Sequence, residues 1–435
     1  MRVKLSYVLV LIMTSQLFFI IGIYSRRSTD DLEKKKPNVL VYTNDNLSFP
    51  QLPRPRHQPL KSWELEYLGM PKYRRWLNDS RDLCRGSSTI VCPRLPEHDP
   101  KKAYFCFGTN ILQKDVATWT AHCESFIDET DLTDFMQDTD PKNPLVSGSL
   151  KMEQHAPPPQ MVALPERRLT YLATGDCITG NPGHSIADPH NLFIIQQLLG
   201  FNRTNTEVVL LTGFGSNIYG LSSSNVWLED WQALAVSVHR QIPTAPDIRL
   251  HTVAFGALGM HGPHWRRFKD NGMVRGRSQI LLDILTNIEL FLGRSPPVHD
   301  RTLLWIRRAS HRRILNQTEL VADAISDGWS ARDVDLGDMS YRDQYSAVTS
   351  HSVVIGMHGG GMWNAARWMR SSQAMVEVLP VLGPGSTKEM ATLMGFRYEE
   401  VQCETCVASA DYSGNVAWST IGVALGRLYR VEVLT

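Results

Sequence analysis

The sequence lacks an excess of charge of either sign: 45 lysines and arginines against 44 aspartates and glutamates leave a formal net charge of +1. Without a basic field, nucleic acid is excluded as the main partner. Cysteine is scarce as well, with seven in 435 residues. Cys403 and Cys406 form a C-x-x-C with no second pair, which suits a structural disulfide better than a zinc site. Cys84, Cys92, Cys106 and Cys123 cluster, and sequence alone leaves their pairing open. With Cys177 the count is odd, so one thiol is free or pairs between chains. Asp138-Thr-Asp140 and Asp333-Val-Asp335 are D-x-D triplets of a kind that arises by chance, and no metal site is assigned. Beyond the first two dozen residues, no apolar run is long enough to cross a bilayer.

What is present begins with residues 5–24, an apolar run without a charge. As a helix rising about 1.5 Å per residue it reaches roughly 30 Å, the thickness of the hydrocarbon core. It ends in Gly22-Ile23-Tyr24-Ser25-Arg26-Arg27, a poor cleavage site, so an uncleaved anchor is expected, preceded by a cytoplasmic tail of residues 1–4. Arg2 and Lys4 on one flank balance Arg26 and Arg27 on the other, so charge does not orient the span. Sequons at Asn46, Asn78, Asn202 and Asn316 lie after the run, as do all the cysteines. Both suit an oxidising lumen. The expectation is a single-pass type II protein of the Golgi or endoplasmic reticulum membrane, with its body in the lumen.

Composition, 43% hydrophobic and 20% charged, allows full-sized cores. Residues 25–100 carry Lys34, Lys35, Lys36 and scattered prolines with little apolar periodicity, the composition of a stem. From about residue 103, strands and helices alternate. Strands are expected at 103–108, 168–173, 207–212 and 249–255, with helices at 190–199, 226–241 and 277–292. A second series follows: strands at 302–306, 333–336, 351–357 and 374–379, and helices at 317–326, 341–349 and 362–369. Repeated βα units imply mostly parallel sheets with helices on both faces. The fold class is α/β: two facing Rossmann-like domains with a cleft and a hinge at 293–300. Residues 101–295 form the first domain, 296–385 the second, and 386–435 a closing segment.

Three stretches carry candidate chemistry. In the first, Val353, Val354 and Ile355 form a buried strand that leads through His358 and three glycines, Gly359, Gly360 and Gly361, into a helix. Bare backbone N–H groups at a helix start suit a phosphate, and glycine lets the ligand approach; the same glycines also fit a turn needed only for close packing. In the second, Arg307, Arg308, Arg312 and Arg313 directly follow a strand, suiting either a bidentate diphosphate clamp or a solvated basic loop. In the third, Asn181-Pro-Gly-His184 runs into Asp188-Pro189. There Asp188 or His184 serves as a general base at the cleft, or Asp188 simply caps the helix that Pro189 begins. Glu377, on the next strand end, suits ribose hydroxyls or a local pairing.

The blocks N-P-G-H-x-x-x-D, I-R-R-x-x-x-R-R-I-L-N, H-G-G-G-M-x-N and M-V-E-V-L-P stand in the order and approximate spacing of glycosyltransferase family 61, which the chain resembles over residues 170–380. That family includes xylosyl-, arabinofuranosyl- and O-linked N-acetylglucosaminyltransferases. The resemblance implies a lumenal type II protein of GT-B-like fold that takes a UDP-sugar donor, inverts the anomeric carbon and requires no metal cofactor. It implies that Arg308, Arg312 and Arg313 meet the diphosphate. His358, Gly359, Gly360 and Gly361 line the nucleotide, joined by Asn364, and Glu377 holds the ribose. His184 and Asp188 then face a glycan or glycoprotein acceptor.

Two other readings compete. H-G-G-G is also an oxyanion-hole motif, and Gly183-His-Ser185-Ile-Ala187 approximates the nucleophile elbow of an esterase. In α/β hydrolases the oxyanion loop precedes the elbow, whereas here it follows by roughly 170 residues. The other is a non-catalytic glycan-binding protein on a transferase scaffold, which the retained His184, Asp188, Arg308 and Glu377 disfavour.

Overall fold

Strands of two to nine residues build two sheets in the computed structural model of the chain. The structure describes residues 77, 80–95, 99–103, 105–113, 118–126, 150–154, 162–163, 167–173, 187–210, 228–239, 248–255, 277–293, 298–380, 387–403, 405–406 and 412–430. All of them belong to one unit, Thr43–Thr435. The expected anchor at 5–24, most of the expected stem, Cys177 and His184 lie outside the described residues. Among the described residues no helix is long and apolar enough to cross a membrane.

The first sheet is mixed. Its strands are β1 (Ser80–Arg85), β2 (Thr89–Leu95), β3 (Asp99–Ala103), β4 (Cys106–Gln113), β5 (Trp119–His122), β6 (Ser125–Phe126), β7 (Leu150–Glu153), β8 (Val162–Ala163), β9 (Leu169–Ala173), β10 (Thr206–Leu210), β11 (Ser237–His239) and β12 (Ile248–Phe255). The main path runs β11-β10-β9-β12-β4-β2-β1-β6. Pairing is parallel from β11 through β12 and antiparallel from β12 onward. Helices α1 (Ala187–Leu199), α2 (Leu228–Leu234) and α3 (Gln279–Leu292) cover it. Disulfides Cys84–Cys123 and Cys92–Cys106 tie the antiparallel wing together, resolving the pairing that the sequence left open.

Two expectations change here. Ser80 to Leu95, read as stem on composition, supplies β1 and β2 and belongs to the sheet. The single helix expected over 226–241 divides into α2 and the strand β11, because the edge of β10 offers Ser237–His239 a parallel partner.

The second sheet is wholly parallel, in the order β14-β13-β15-β16-β17. Its elements are β13 (His299–Arg307), α4 (Gln317–Ser326), β14 (Ser330–Asp335), α5 (Tyr341–Thr349), β15 (His351–Met357), α6 (Gly360–Ala366), β16 (Ala374–Pro380), α7 (Thr387–Met394), β17 (Arg397–Cys403) and α8 (Trp418–Arg430). Successive side chains alternate between faces. Leu303, Trp305, Val353, Ile355 and Val376 enter a core with α4 and α8. Leu304, Ile306, Val354 and Met375 enter another, which also receives α1, α2 and α3 from the first sheet. The two sheets therefore share one apolar layer.

A buried polar cluster crosses that layer. Asp230 on α2 accepts from Tyr341 Oη at the start of α5 and from Arg367 Nη1 just past α6. The Arg367 guanidinium lies over the Trp368 ring at 4.4 Å and the Tyr341 ring at 5.2 Å. Removing one partner of a buried ion pair costs several kcal/mol, so this cluster ties together the elements it joins.

Candidate active site

In the second sheet, β13 forms first yet lies second in spatial order, between β14 and β15. The connections after β13 and β15 leave in opposite directions, opening a crevice beyond their carboxyl ends where ligands of such sheets bind. The basic loop follows β13, and His358 and Gly359 follow β15.

The basic loop folds back on itself. His311 and Arg312 both adopt left-handed backbone, with φ of 45° and 55°, which is costly for side chains of this kind. The bend returns Arg312 to the strand ends. A Cβ placed on Gly359, whose φ is 138°, would lie 2.5 Å from Arg308 Nη1 and 3.1 Å from Arg312 Nη1. Glycine is therefore required for both guanidiniums to rest against this backbone. Arg308 Nε donates to the His311 carbonyl at 3.1 Å. Burial, and then the charge of Arg312, push the Arg308 pKa below its ordinary value, while Asp335 pulls it back. Two like charges held over one backbone turn repel each other, and a bound anion relieves both.

Arg313 is placed differently. Its N–H donates to Ser413 Oγ at 2.9 Å, and its carbonyl accepts from the Gly414 N–H at 3.0 Å, leaving an exposed side chain. Arg307 is exposed and reaches Asp333 Oδ2 at 3.3 Å. Gln317 Nε2 holds the other Asp333 oxygen at 2.8 Å, so that carboxylate serves the loop's framework.

The glycine run also differs from expectation. Gly360 and Gly361 are the first residues of α6, so the open turn reduces to Gly359 alone. A Cβ on Gly361 would lie 3.2 Å from Ile306 Cγ2, so its glycine serves the packing of α6 on β13. With only seven residues in α6, the guanidiniums rather than a helix dipole supply the positive charge. Asn364, expected beside the nucleotide, is buried at the contact of α6 with α5, where Nδ2 donates to Gln344 Oε1 at 2.5 Å.

Glu377 has no exposed surface. Its Oε1 accepts from Thr387 Oγ1 at 2.7 Å and faces His358 Nδ1 at 2.9 Å, while Oε2 accepts from Tyr398 Oη at 2.6 Å. Burial, then the Glu377 charge and the hydrogen bond to it, raise the Tyr398 pKa far above its ordinary value, keeping that phenol a donor. Three donors thus surround the carboxyl group, which has no exposed surface to offer a ribose hydroxyl. Glu377 positions His358 in this structure instead of facing a ligand. Thr387 and Tyr398 were not singled out from the sequence, because lone threonines and tyrosines on a later helix and strand carry no spacing signal.

On the other side of the shared layer, α1 begins at Ala187, so Asp188 falls in its first turn and not at its cap. An acidic residue there complements the helix dipole, and Pro189 is tolerated because first-turn N–H groups lack helical partners. Pro189 and His190 line a cavity with Asp230, Arg367, Met390 and Met394. Arg367 directly follows α6, whose other end is capped by Gly359. The cavity and the guanidinium pair therefore lie toward opposite ends of one helix of roughly 10 Å.

Residues 183–376 match the family model described as Glycosyltransferase 61. No curated protein matches the chain. The matched span takes in Asp188, the basic loop and the His358 to Asn364 stretch, and stops one residue short of Glu377.

Proposed function

The chain carries a glycosyltransferase family 61 domain and is a glycosyltransferase, and from that premise we propose that it transfers a sugar from a UDP-sugar to a glycan or glycoprotein acceptor with inversion at the anomeric carbon. A transferase domain speaks against the esterase reading. The donor is of the xylose, N-acetylglucosamine or arabinofuranose class. The observation that supports the reading most is the meeting of Arg308 and Arg312 over Gly359 at the switch point of a parallel sheet. In a GT-B-like arrangement this second sheet holds the nucleotide and the first sheet faces the acceptor.

The reaction is a single displacement. An acceptor hydroxyl gives its proton to Asp188 or His184, and its oxygen bonds to the anomeric carbon as the bond from that carbon to the diphosphate oxygen breaks. UDP leaves with the bonding pair, and the new negative charge falls beside Arg308 and Arg312, with Arg313 at the rim. Fixed donors aimed at developing charge are worth a few kcal/mol each. With that charge met by guanidiniums, the transfer runs without a metal cofactor. The N-terminal run 5–24 anchors the body in a Golgi or endoplasmic reticulum membrane.

The test is to incubate the full chain with a panel of UDP-sugars and candidate acceptors, reading released UDP with and without EDTA. Acceptor-dependent UDP release from one donor, unchanged by EDTA, is expected. Neither release nor UDP binding across the panel overturns the reading, and loss of activity with EDTA overturns its metal-independent part. Full transfer activity in both Asp188→Asn and His184→Ala removes the base assignment.

A further inference from the structure

The geometry of the basic loop depends on a segment outside the matched span. Cys403 ends β17 and is joined by a disulfide to Cys406, both cysteines being buried. Between them, Thr405 Oγ1 donates to the Asn415 carbonyl and accepts from the Asn415 N–H, both at 2.8 Å. Gly414 is pressed against Cys406: a Cβ there would lie 2.7 Å from Cys406 Sγ and 2.8 Å from Cys406 N.

The far side of this segment grips the basic loop. Gly414 and Ile314 form an isolated parallel bridge. The Gly414 N–H donates to the Arg313 carbonyl at 3.0 Å, and the Leu315 N–H donates to the Gly414 carbonyl at 2.8 Å. Arg313 N–H donates to Ser413 Oγ at 2.9 Å. The Asn316 side chain closes the pattern, giving to the Val416 carbonyl at 2.8 Å and taking from its N–H at 3.0 Å. Together these five bonds fix residues 313–316, directly after the left-handed pair His311 and Arg312. A strained bend persists where its surroundings hold it, and the held end here is the one from which Arg312 reaches back to Gly359.

We propose that the Cys403–Cys406 disulfide, with residues 413–416 packed against it, forms a strap that positions the diphosphate clamp, so that nucleotide affinity depends on a cross-link about a hundred residues from the arginines. The inference rests on the reading of the clamp given above. Cys403 and Cys406, with Thr405, Ser413 and Gly414, are then positioning residues acting through Arg312 and Arg308. A disulfide that merely stabilised the fold would lower the melting temperature and leave the affinity of the folded protein for UDP intact.

Isothermal titration calorimetry of the full chain with UDP separates these cases, run where circular dichroism shows each variant folded. Cys403→Ser/Cys406→Ser removes the cross-link, Gly414→Ala pushes the segment off an intact disulfide, and Cys84→Ser/Cys123→Ser is the control. The first two are expected to weaken UDP binding by about five- to tenfold, the effect of losing one or two net hydrogen bonds, and to raise KM for the UDP-sugar while KM for the acceptor stays fixed. The control is expected to bind as wild type. Should Gly414→Ala fail to fold, Ser413→Ala removes a single bond to the loop and is expected to weaken binding about threefold. Wild-type affinity in the strap variants, or an equal loss in the folded control, overturns the inference while leaving the clamp in place. Absence of UDP binding in the wild-type chain overturns the functional reading itself, and the strap with it.

Discussion

His358 Nδ1 stands 2.9 Å from Oε1 of Glu377, a carboxyl group with no exposed surface. A carboxylate accepts, so the proton of this contact belongs to Nδ1. The ring is itself mostly covered, and the backbone N–H of His358 donates to the Val378 carbonyl at 2.8 Å, so neither ring nor backbone is free to swing. Replacing Glu377 by Gln keeps the size but offers a competing amide donor and removes the charge. Transfer should slow about 10- to 100-fold, the worth of one buried charge-assisted hydrogen bond, with acceptor KM little changed. Steady-state kinetics at saturating donor check this, and an unaltered kcat would show that His358 needs no such holder.

Arg308 and Arg312 present a different balance, because what suits a diphosphate is unfavourable without one. Their repulsion and the burial of Arg308 weigh against the unliganded fold. Arg308→Ala is therefore expected to raise the melting temperature of the free protein slightly while lowering UDP affinity about tenfold. Arg312→Ala should behave alike, and the double variant should lose less affinity than the two single losses combined, since each single change already relieves the pair. Thermal melts with and without UDP measure both sides. A single variant that melts lower in both conditions contradicts the account.

Gly359 and Gly361 look equivalent in the sequence and are not. Alanine at 359 must accept a φ of 138° and meet Arg308 Nη1 at 2.5 Å, at a backbone cost of about 1–3 kcal/mol. Alanine at 361 meets one methyl group at 3.2 Å in ordinary helical backbone. Gly359→Ala is expected to match or exceed Arg308→Ala in lost UDP affinity, and Gly361→Ala to stay within about threefold of wild type, a small repacking cost. Equal losses at the two positions would mean that the whole run, and not the one left-handed turn, admits the ligand.

Much of the second sheet was legible because its central strands β13, β15 and β16 are buried and read as continuous apolar runs, whereas the edge strands β14 and β17 are partly exposed. Helices 317–326 and 341–349 and strand 351–357 have the bounds that periodicity gives them. The antiparallel wing was not legible: β1 and β2 carry charged and polar residues amid prolines and are held by disulfides, which periodicity does not register. In the candidate site, Arg308, Arg312 and Gly359, which the structure brings together, stand out in the sequence by type and spacing. What escaped was everything that depends on which groups meet: Glu377 facing inward, Tyr398 and Thr387 donating to it, and Gly414 bridging to Ile314. Such partners come from separate elements and share no local pattern.

The phenols of Tyr341 and Tyr398 carry a pH signature. Burial, then a neighbouring carboxylate, raises each above its ordinary value of 10.0: Asp230 for Tyr341, Glu377 for Tyr398. The folded chain thus keeps protons that the unfolded chain releases above pH 10. The stability linked to them is whole below that pH and is lost as pH rises above it, by about 1.4 kcal/mol per pH unit for each retained proton. Tyr398→Phe removes one of the two. At pH 8 it should cost about 1 kcal/mol, the net value of its bond to Glu377, and above pH 10 its stability should fall less steeply than that of wild type, so the two curves converge. Urea unfolding at pH 8, 10 and 11 measures the slopes directly. Parallel curves across that range would show that Tyr398 titrates in the fold as it does in the unfolded chain, and would undo the picture of a phenol locked as a donor to Glu377.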